Sequence, residues 1–389
     1  MKKLSLISIL AGGALTLAFG ACDKTPEGGA DTTAPDTAVP DTAAPAADKP
    51  AGPFKLAWSE YPSWSVFDVA HSKGYIDGAA GKLGPIEKKW NVDIVLKEAE
   101  YDPTIALYGT GEVDAVAITN MDILKPSLSR PAVAILPTST SYGADAVLVT
   151  KKIKKIRDLR KKKVQVRGLD LSVSEYMFAR NLELNGEDPK KFKFTSMDPG
   201  AAAMAMQQKQ KGMDAIAVWN PFVLQTLEKR KDVRVLFDST SIPGEIIDMV
   251  VVAKESLAKP GGAAFAHAII DAYYAVNKDL ADKTKRKDTL VAIGEKFANL
   301  PADKMEKIVE QTRFYGTADA GIALFMDGPV LSGVSDKKLK EIMSTVVDFC
   351  VSHGIVDKKP KIAYAATADA KDANLSFDPS YMKTVAAKQ

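Results

Sequence analysis

Five short stretches carry side chains suited to holding a small charged molecule. The loop Ser59-Glu60-Tyr61-Pro62-Ser63-Trp64 brings hydroxyls, a carboxylate and two aromatic rings together. Thr119-Asn120-Met121-Asp122, Trp219-Asn220-Pro221 and Pro243-Gly244-Glu245 add two amides, two carboxylates and a further indole. Arg167 stands just before the run Gly168-Leu169-Asp170-Leu171-Ser172. Aromatic faces attract cations, and Glu60, Asp122 and Glu245 can neutralise and hydrogen-bond a planar N–H fork, so this set suits a nitrogen-rich, guanidine- or urea-like solute. Arg167 and the helix start after it suit an anion equally well. Two simpler readings stand beside these. Trp58, Trp64 and Trp219, three of the four tryptophans, can be ordinary packing. Ser172 and Glu175 form a Ser-x-x-Glu capping box that by itself accounts for the serine.

Catalytic signatures are missing. The three histidines, His71, His267 and His353, are scattered, and no H-E-x-x-H, Cys pair, G-x-S-x-G elbow or phosphate-binding loop occurs. The sequence therefore points to a binding protein rather than an enzyme, with no cofactor and no metal. At 389 residues, 46% apolar and 26% charged, the chain has a soluble composition and the length of two domains. A net charge of +3 and the lack of any nucleic-acid-binding motif give no reason to expect DNA or RNA.

The elements that must position these residues follow from periodicity. Short apolar runs alternate with amphipathic stretches from Phe54 to Ala253, the pattern of an α/β fold with mostly parallel sheets covered by helices. Strands are expected at Lys55–Trp58, Val92–Lys97, Ala115–Ile118, Ala132–Leu136, Ala146–Val149, Lys163–Arg167, Phe192–Thr195, Ala215–Trp219, Val233–Phe237 and Asp248–Val252. After Ala253 the expected elements, from Ala263 to His353, are all helices. One unit occurs twice: Asp114–Asn120 reads DAVAITN and Asp214–Asn220 reads DAIAVWN, one hundred residues apart and each preceded by a glycine turn. Ligands in open α/β sheets sit outside the carboxyl ends of the strands, so two such lobes face to face would place Asn120 and Asn220 on opposite walls of one crevice. Asp and Asn are also simple turn formers, which leaves a purely structural role open for both.

The N-terminus reads as a targeting segment. Lys2 and Lys3, the apolar run Leu4–Phe19 and Gly20-Ala21-Cys22 resemble a bacterial lipoprotein signal, which implies residues 1–22 as signal and Cys22 as the lipidated first residue. Residues 23–53, rich in Pro, Ala, Thr and Asp, read as a disordered tether. The one other cysteine is Cys350, so the fold must rest on its core.

From Phe54 to the C-terminus the chain resembles the substrate-binding proteins of ABC importers of the nitrate/taurine/sulfonate type. The resemblance is carried by A-W-S at Ala57–Ser59, T-N-M-D at Thr119–Asp122, W-N-P at Trp219–Pro221, F-D-S-x-x-I-P-G-E-I-I-D at Phe237–Asp248 and N-L-S-F-D-P-S-Y-M at Asn374–Met382. T-N-M-D, W-N-P and I-P-G-E together look most like the urea-carboxylase-associated branch linked to guanidine use. The resemblance implies a two-lobed, type II periplasmic-binding fold, with 54–150 and 244–389 as the first lobe, 151–243 as the second, and the helical C-terminal region packed behind the first. It places Thr138 and Ser139 at the first crossover and Glu245 at the return. It further implies a monomer on the extracytoplasmic face, tethered by lipid, that captures a small solute and delivers it to a membrane permease. A binder of a small anion such as sulfonate, nitrate or carboxylate, or a sensor presenting its ligand, is the alternative. Most members of the wider family carry Glu where Asn220 stands, so their ligand rules do not transfer.

The stretch Lys151–Arg167, KKIKKIRDLRKKKVQVR, is the densest charge run in the chain. A solvated connector leading into a strand explains it. Docking onto an acidic transporter surface or anionic lipid head groups is the other reading.

Overall fold

The computed structural model describes residues 49–388 apart from 298, 366 and 367; the expected signal, Cys22 and most of the expected tether lie outside the described residues. From Lys49 onward the chain is one compact unit. Among the described residues twelve strands occur: β1 Ala51–Trp58, β2 Val92–Glu98, β3 Ala115–Thr119, β4 Ala132–Thr140, β5 Asp145–Thr150, β6 Gln165–Gly168, β7 Lys193–Ser196, β8 Ala215–Trp219, β9 Val233–Asp238, β10 Ile247–Ala253, β11 Ile362–Tyr364 and β12 Leu375–Phe377. They form two sheets, ordered β11-β12-β4-β10-β3-β1-β2 and β7-β6-β8-β5-β9.

Every residue of β3, β4, β5, β8 and β10 is buried. Strands covered on both faces need no polar alternation, which is why these read as continuous apolar runs. Behind the first sheet the long helix Gly262–Ala281 packs against the helices Val66–Ser72 and Pro85–Trp90, and Phe265 stacks on Phe54 at 5.0 Å. In the second lobe the alanine-rich helix Pro199–Gln207 lies on β8. There a smaller core gathers Leu148, Met206, Ile216, Val218 and Val223. Gly168 lets β6 approach β8 closely, since a Cβ there would stand 2.6 Å from Ala217 O.

Each sheet contains one strand that runs against its neighbours, and in each case it has just crossed from the other lobe. β4 leaves the first sheet and β5 enters the second, antiparallel to β8 and β9. β9 leaves the second sheet and β10 enters the first, antiparallel to β3 and β4. The two crossings touch: Thr140 Oγ1 donates to Ile246 O at 2.7 Å, and Ser141 Oγ lies 2.7 Å from Ser239 Oγ. All the other strands of each sheet run one way, so the sheets are mostly parallel as expected.

Four expectations need correction. The first strand begins at Ala51, so the tether ends before Phe54. Asp145–Thr150, assigned to the first lobe, is hydrogen-bonded into the second sheet, which moves the crossover to residues 141–144. The strand expected to start at Lys163 starts at Gln165, because Lys163 closes a left-handed turn at φ 53°. The C-terminal region is not wholly helical: β11 and β12 extend the first sheet through β12 beside β4. At three residues each they are too short to show a period.

Candidate functional site

The duplicated strands β3 and β8 end at the seam between the lobes, and each is paired at that end with a crossing strand. Asp248, near the start of β10, faces Thr119 across the β3 ladder. Asp145, first residue of β5, faces Trp219 across the β8 ladder. The duplication thus sets two aspartates at matching places, one from each crossing. Both line a small cavity together with Tyr61 and Trp64 from the loop after β1, Tyr101, Thr119, Trp219, and the aliphatic Val173 and Ile246. The cavity measures about 10 Å³, room for the centre of a single water.

Its walls are aromatic and acidic. Tyr61 meets Trp64 at 4.9 Å, Trp64 stacks on Tyr101 at 5.3 Å, and Tyr101 meets Trp219 edge-on at 5.7 Å, an unbroken run of rings from the first lobe to the second. The Tyr101 hydroxyl accepts from the Thr119 backbone N–H at 3.1 Å and donates to Asp122 Oδ2 at 2.7 Å. Beneath the cavity Ser139 donates to Asp248 Oδ2, and Ser63 links Ser139 to Thr138 at 2.8 and 3.0 Å. No Lys, Arg or His is among the lining residues.

Burial without a positive partner raises all three carboxyls. Desolvation is the main cause for Asp145, which is pushed up to about 6, with Asp122 adding to it and Ser141 opposing it. Asp122 also rises to about 6 through desolvation, against the hydrogen bonds from Tyr101 and Thr119. Asp248 is raised further by desolvation and by Asp145, against Ser139. Yet among the described residues no three His, Cys, Asp or Glu are grouped to hold a metal ion.

Beside the small cavity, and sharing Tyr101 and Trp219 with it, lies a groove of about 460 Å³ between the lobes. It is lined by Ser59, Glu60, Glu100, Asp102 and Asp198 and again by no basic residue. Burial raises the Glu60 carboxyl, and Glu98 and Glu100 add to the effect. A second side groove of about 250 Å³ holds Asp122 and Ser172.

The structure therefore sorts the expected residues. Trp64 and Trp219 both line the small cavity, and Ser59 and Glu60 lie in the groove outside it. Asp122, Thr138 and Ser139 stand behind the cavity wall and orient Tyr101 and Asp248. Ser172 caps its helix by accepting from Ser174 N–H. Asn120 is not a crevice wall: its amide is consumed by the return crossing, donating to Glu245 O at 3.1 Å and accepting from Ile247 N–H at 3.0 Å. Asn220 likewise holds the first crossing through its backbone N–H on Ala144 O, while its side chain donates to Gln311 at 2.7 Å. Arg167 lines none of these cavities, and its guanidinium reaches instead toward Gly212, at the far end of β8. Glu245 is bound by Tyr176, Arg180 and Lys337 and has no free face for a ligand. Trp58 packs in the core under Lys296.

Asp145, Asp248 and Tyr101 went unread in the sequence as site residues. The usable signal was the duplication itself. A strand that must receive an antiparallel partner from the other lobe implies a residue of that partner opposite its last side chain, and in both cases this is an aspartate.

Two α/β lobes joined by paired crossings, with a small cavity at the facing strand ends, define the two-lobed fold of periplasmic binding proteins. No family model and no curated protein matches the sequence. In fold the chain is similar to the periplasmic aliphatic sulphonate binding protein SsuA from Escherichia coli, with a TM-score of 0.57 and 19% identity over 79% of this chain and 94% of that one. The alkanesulfonate-binding protein SsuA from Xanthomonas axonopodis pv. citri, bound to MOPS, gives 0.60 and 13% over 80% and 96%. The ligand binding component of an ABC-type import system from Staphylococcus aureus gives 0.56 and 11% over 85% and 98%.

Proposed function

We propose that this protein is the extracytoplasmic ligand-capturing component of an ABC importer, and that its ligand is a small guanidinium-like cation held between the lobes. The observation that carries this reading is the lining of the small cavity: four aromatic rings, two aspartates and no positive side chain. Such rings attract a cation through their faces, and a carboxylate removed from water binds an N–H fork with charge-assisted hydrogen bonds. An unpaired buried carboxylate is costly, and a bound cation relieves that cost. The acidic groove outside would gather cations at its mouth, and the lobes must part for the cavity to admit one.

The neighbouring structures in fold include sulfonate binders, but a sulfonate here would meet Asp145 and Asp248 with no positive group to offset them. One observation favours a second reading, a neutral urea-like amide. The buried Trp64 indole N–H has no partner among the described residues and could donate to a carbonyl. Binding rather than catalysis is the role proposed, with a membrane permease as partner, a lipid at Cys22 as anchor, and a monomer as the working form.

The test is a thermal-shift screen with millimolar guanidinium, methylguanidinium, urea, taurine, an alkanesulfonate and nitrate. A ligand at about 100 times its Kd stabilises the fold by roughly 2.7 kcal/mol. Stabilisation by guanidinium or methylguanidinium is expected. Stabilisation by taurine, the sulfonate or nitrate alone would overturn the cation assignment, and stabilisation by urea alone would leave the second reading.

A further inference from the structure

The basic run at Lys151–Lys163 is one part of a larger surface. β6, β7, β8 and β9 all point toward the cleft and β5 points away from it, so the loop after β5 and the loops before the other four strands meet at the pole of the second lobe farthest from the ligand. Contacts confirm it: Lys151 N–H donates to Asp232 O, Lys152 pairs with Asp214, Arg157 and Arg160 pair with Glu187, and Arg234 donates to Ile153 O. The segments 151–163, 185–193, 208–214 and 229–234 together hold eighteen Lys and Arg against five Asp and Glu, in a chain whose whole net charge is +3.

The charge is of a particular kind. Arg157, Arg160 and Arg230 are tied into ion pairs. The exposed lysines Lys151, Lys154, Lys155, Lys161 and Lys163 form no salt bridge among the described residues and carry the free charge. Lys163 and Lys209 even occupy left-handed turns at φ 53° and 58°, places where glycine or asparagine costs less. A protein interface needs aromatic or apolar anchors and is depleted in lysine. No aromatic residue is fully exposed on these segments, whereas a diffuse lysine layer matches the field of an anionic bilayer.

We propose that this pole docks on anionic phospholipid head groups. The acidic groove at Glu60, Glu100, Asp102 and Asp198 lies toward the opposite ends of the strands, and an anionic surface repels it. The same asymmetry therefore decides which end of the molecule meets the bilayer.

The chain from Lys49, one compact unit holding both sheets, is the protein to test, since it carries no lipid of its own. Co-sedimentation with phosphatidylglycerol–phosphatidylcholine vesicles is expected, with none on phosphatidylcholine alone and loss of binding at high salt. The quadruple variant K151E/K154E/K155E/K163E should weaken vesicle binding about tenfold or more, with its melting temperature and ligand affinity intact. K82E/K97E/K283E/K287E, which reverses exposed lysines elsewhere, should retain most of the binding. No phosphatidylglycerol-dependent binding, or equal loss in the two variants, would overturn the proposal. So would a pole that binds soluble polyglutamate but not vesicles, because the partner would then be an acidic polypeptide. Ligand affinity is read separately, so failure here and failure of the cation reading are distinguishable.

Discussion

Asp145 shows how one residue can serve binding at the expense of stability. Its folded-state pKa of about 6 lies above the ordinary 3.8 because burial disfavours the charged form. A raised carboxyl contributes stability that is complete below the unfolded value and is lost as pH rises through the folded one. The ligand-free protein should thus lose stability between about pH 4 and pH 6 through Asp145 and Asp122, a trend that urea midpoints across pH would reveal. Asp145→Asn removes the buried charge. At pH 7 the ligand-free variant should be more stable by roughly 1–3 kcal/mol, while guanidinium affinity falls at least about tenfold. For the wild type, calorimetric titration should show cation affinity weakening below pH 6, since the proton and the cation compete for one carboxylate. An anion would bind more tightly in the same range. Trp219→Ala should cost about 1 kcal/mol or more of cation binding.

At the scale of elements, the duplicated strand recurs because each lobe must receive a strand from the other. Asn120 and Asn220 sit where the crossing strands enter the sheets: the Asn120 amide offers a donor to Glu245 O and an acceptor to Ile247 N–H, and Asn220 holds Ala144 O through its backbone N–H. Asn120→Ala would strand Ile247 N–H and Glu245 O in a buried place. A loss of roughly 1–3 kcal/mol in a denaturant titration is expected, with ligand affinity unchanged in the folded protein. Had the side chain been a crevice wall, affinity would fall instead. Glu245 fastens the same joint: burial opposes its ionisation, but hydrogen bonds from Arg180, Lys337 and Tyr176 hold its carboxyl below the ordinary range. It ties the helix Val173–Leu184 of the second lobe to the segment before the helix Leu339–Ser352.

For the whole molecule, a cavity of about 10 Å³ between the lobes has no room for a solute of several heavy atoms, so the proposed capture requires the lobes to part and close again. The adjoining crossings at residues 141–144 and 239–246 are the place where backbone can bend while both sheets stay intact. Small-angle scattering should therefore show the radius of gyration fall when guanidinium binds, and an unchanged radius at saturation would count against capture by closure. Asn220 on Gln311 joins the lobes beside this cavity, and the ion pair of Lys304 with Glu228 links them elsewhere.

What the sequence by itself determined was local and repetitive. Continuous apolar runs such as Ala215–Trp219 and Asp248–Val252 mark strands buried on both faces, because such strands need no polar alternation. The glycine turns at Gly111 and Gly212, with φ of 82° and 83°, mark the start of the duplicated strands. That Trp64 and Trp219 would come together between the lobes was legible because strand-end position and residue type coincide. Asp145, Asp248 and Tyr101 were not, since their meeting depends on pairing between segments about a hundred residues apart. Arg167 and Glu245 looked as suited to a ligand as any residue in the chain. Only the tertiary structure decided that one reaches away from the cleft and the other is neutralised at the hinge. A charge acts through what surrounds it, and its surroundings come from the folding of distant segments onto one another.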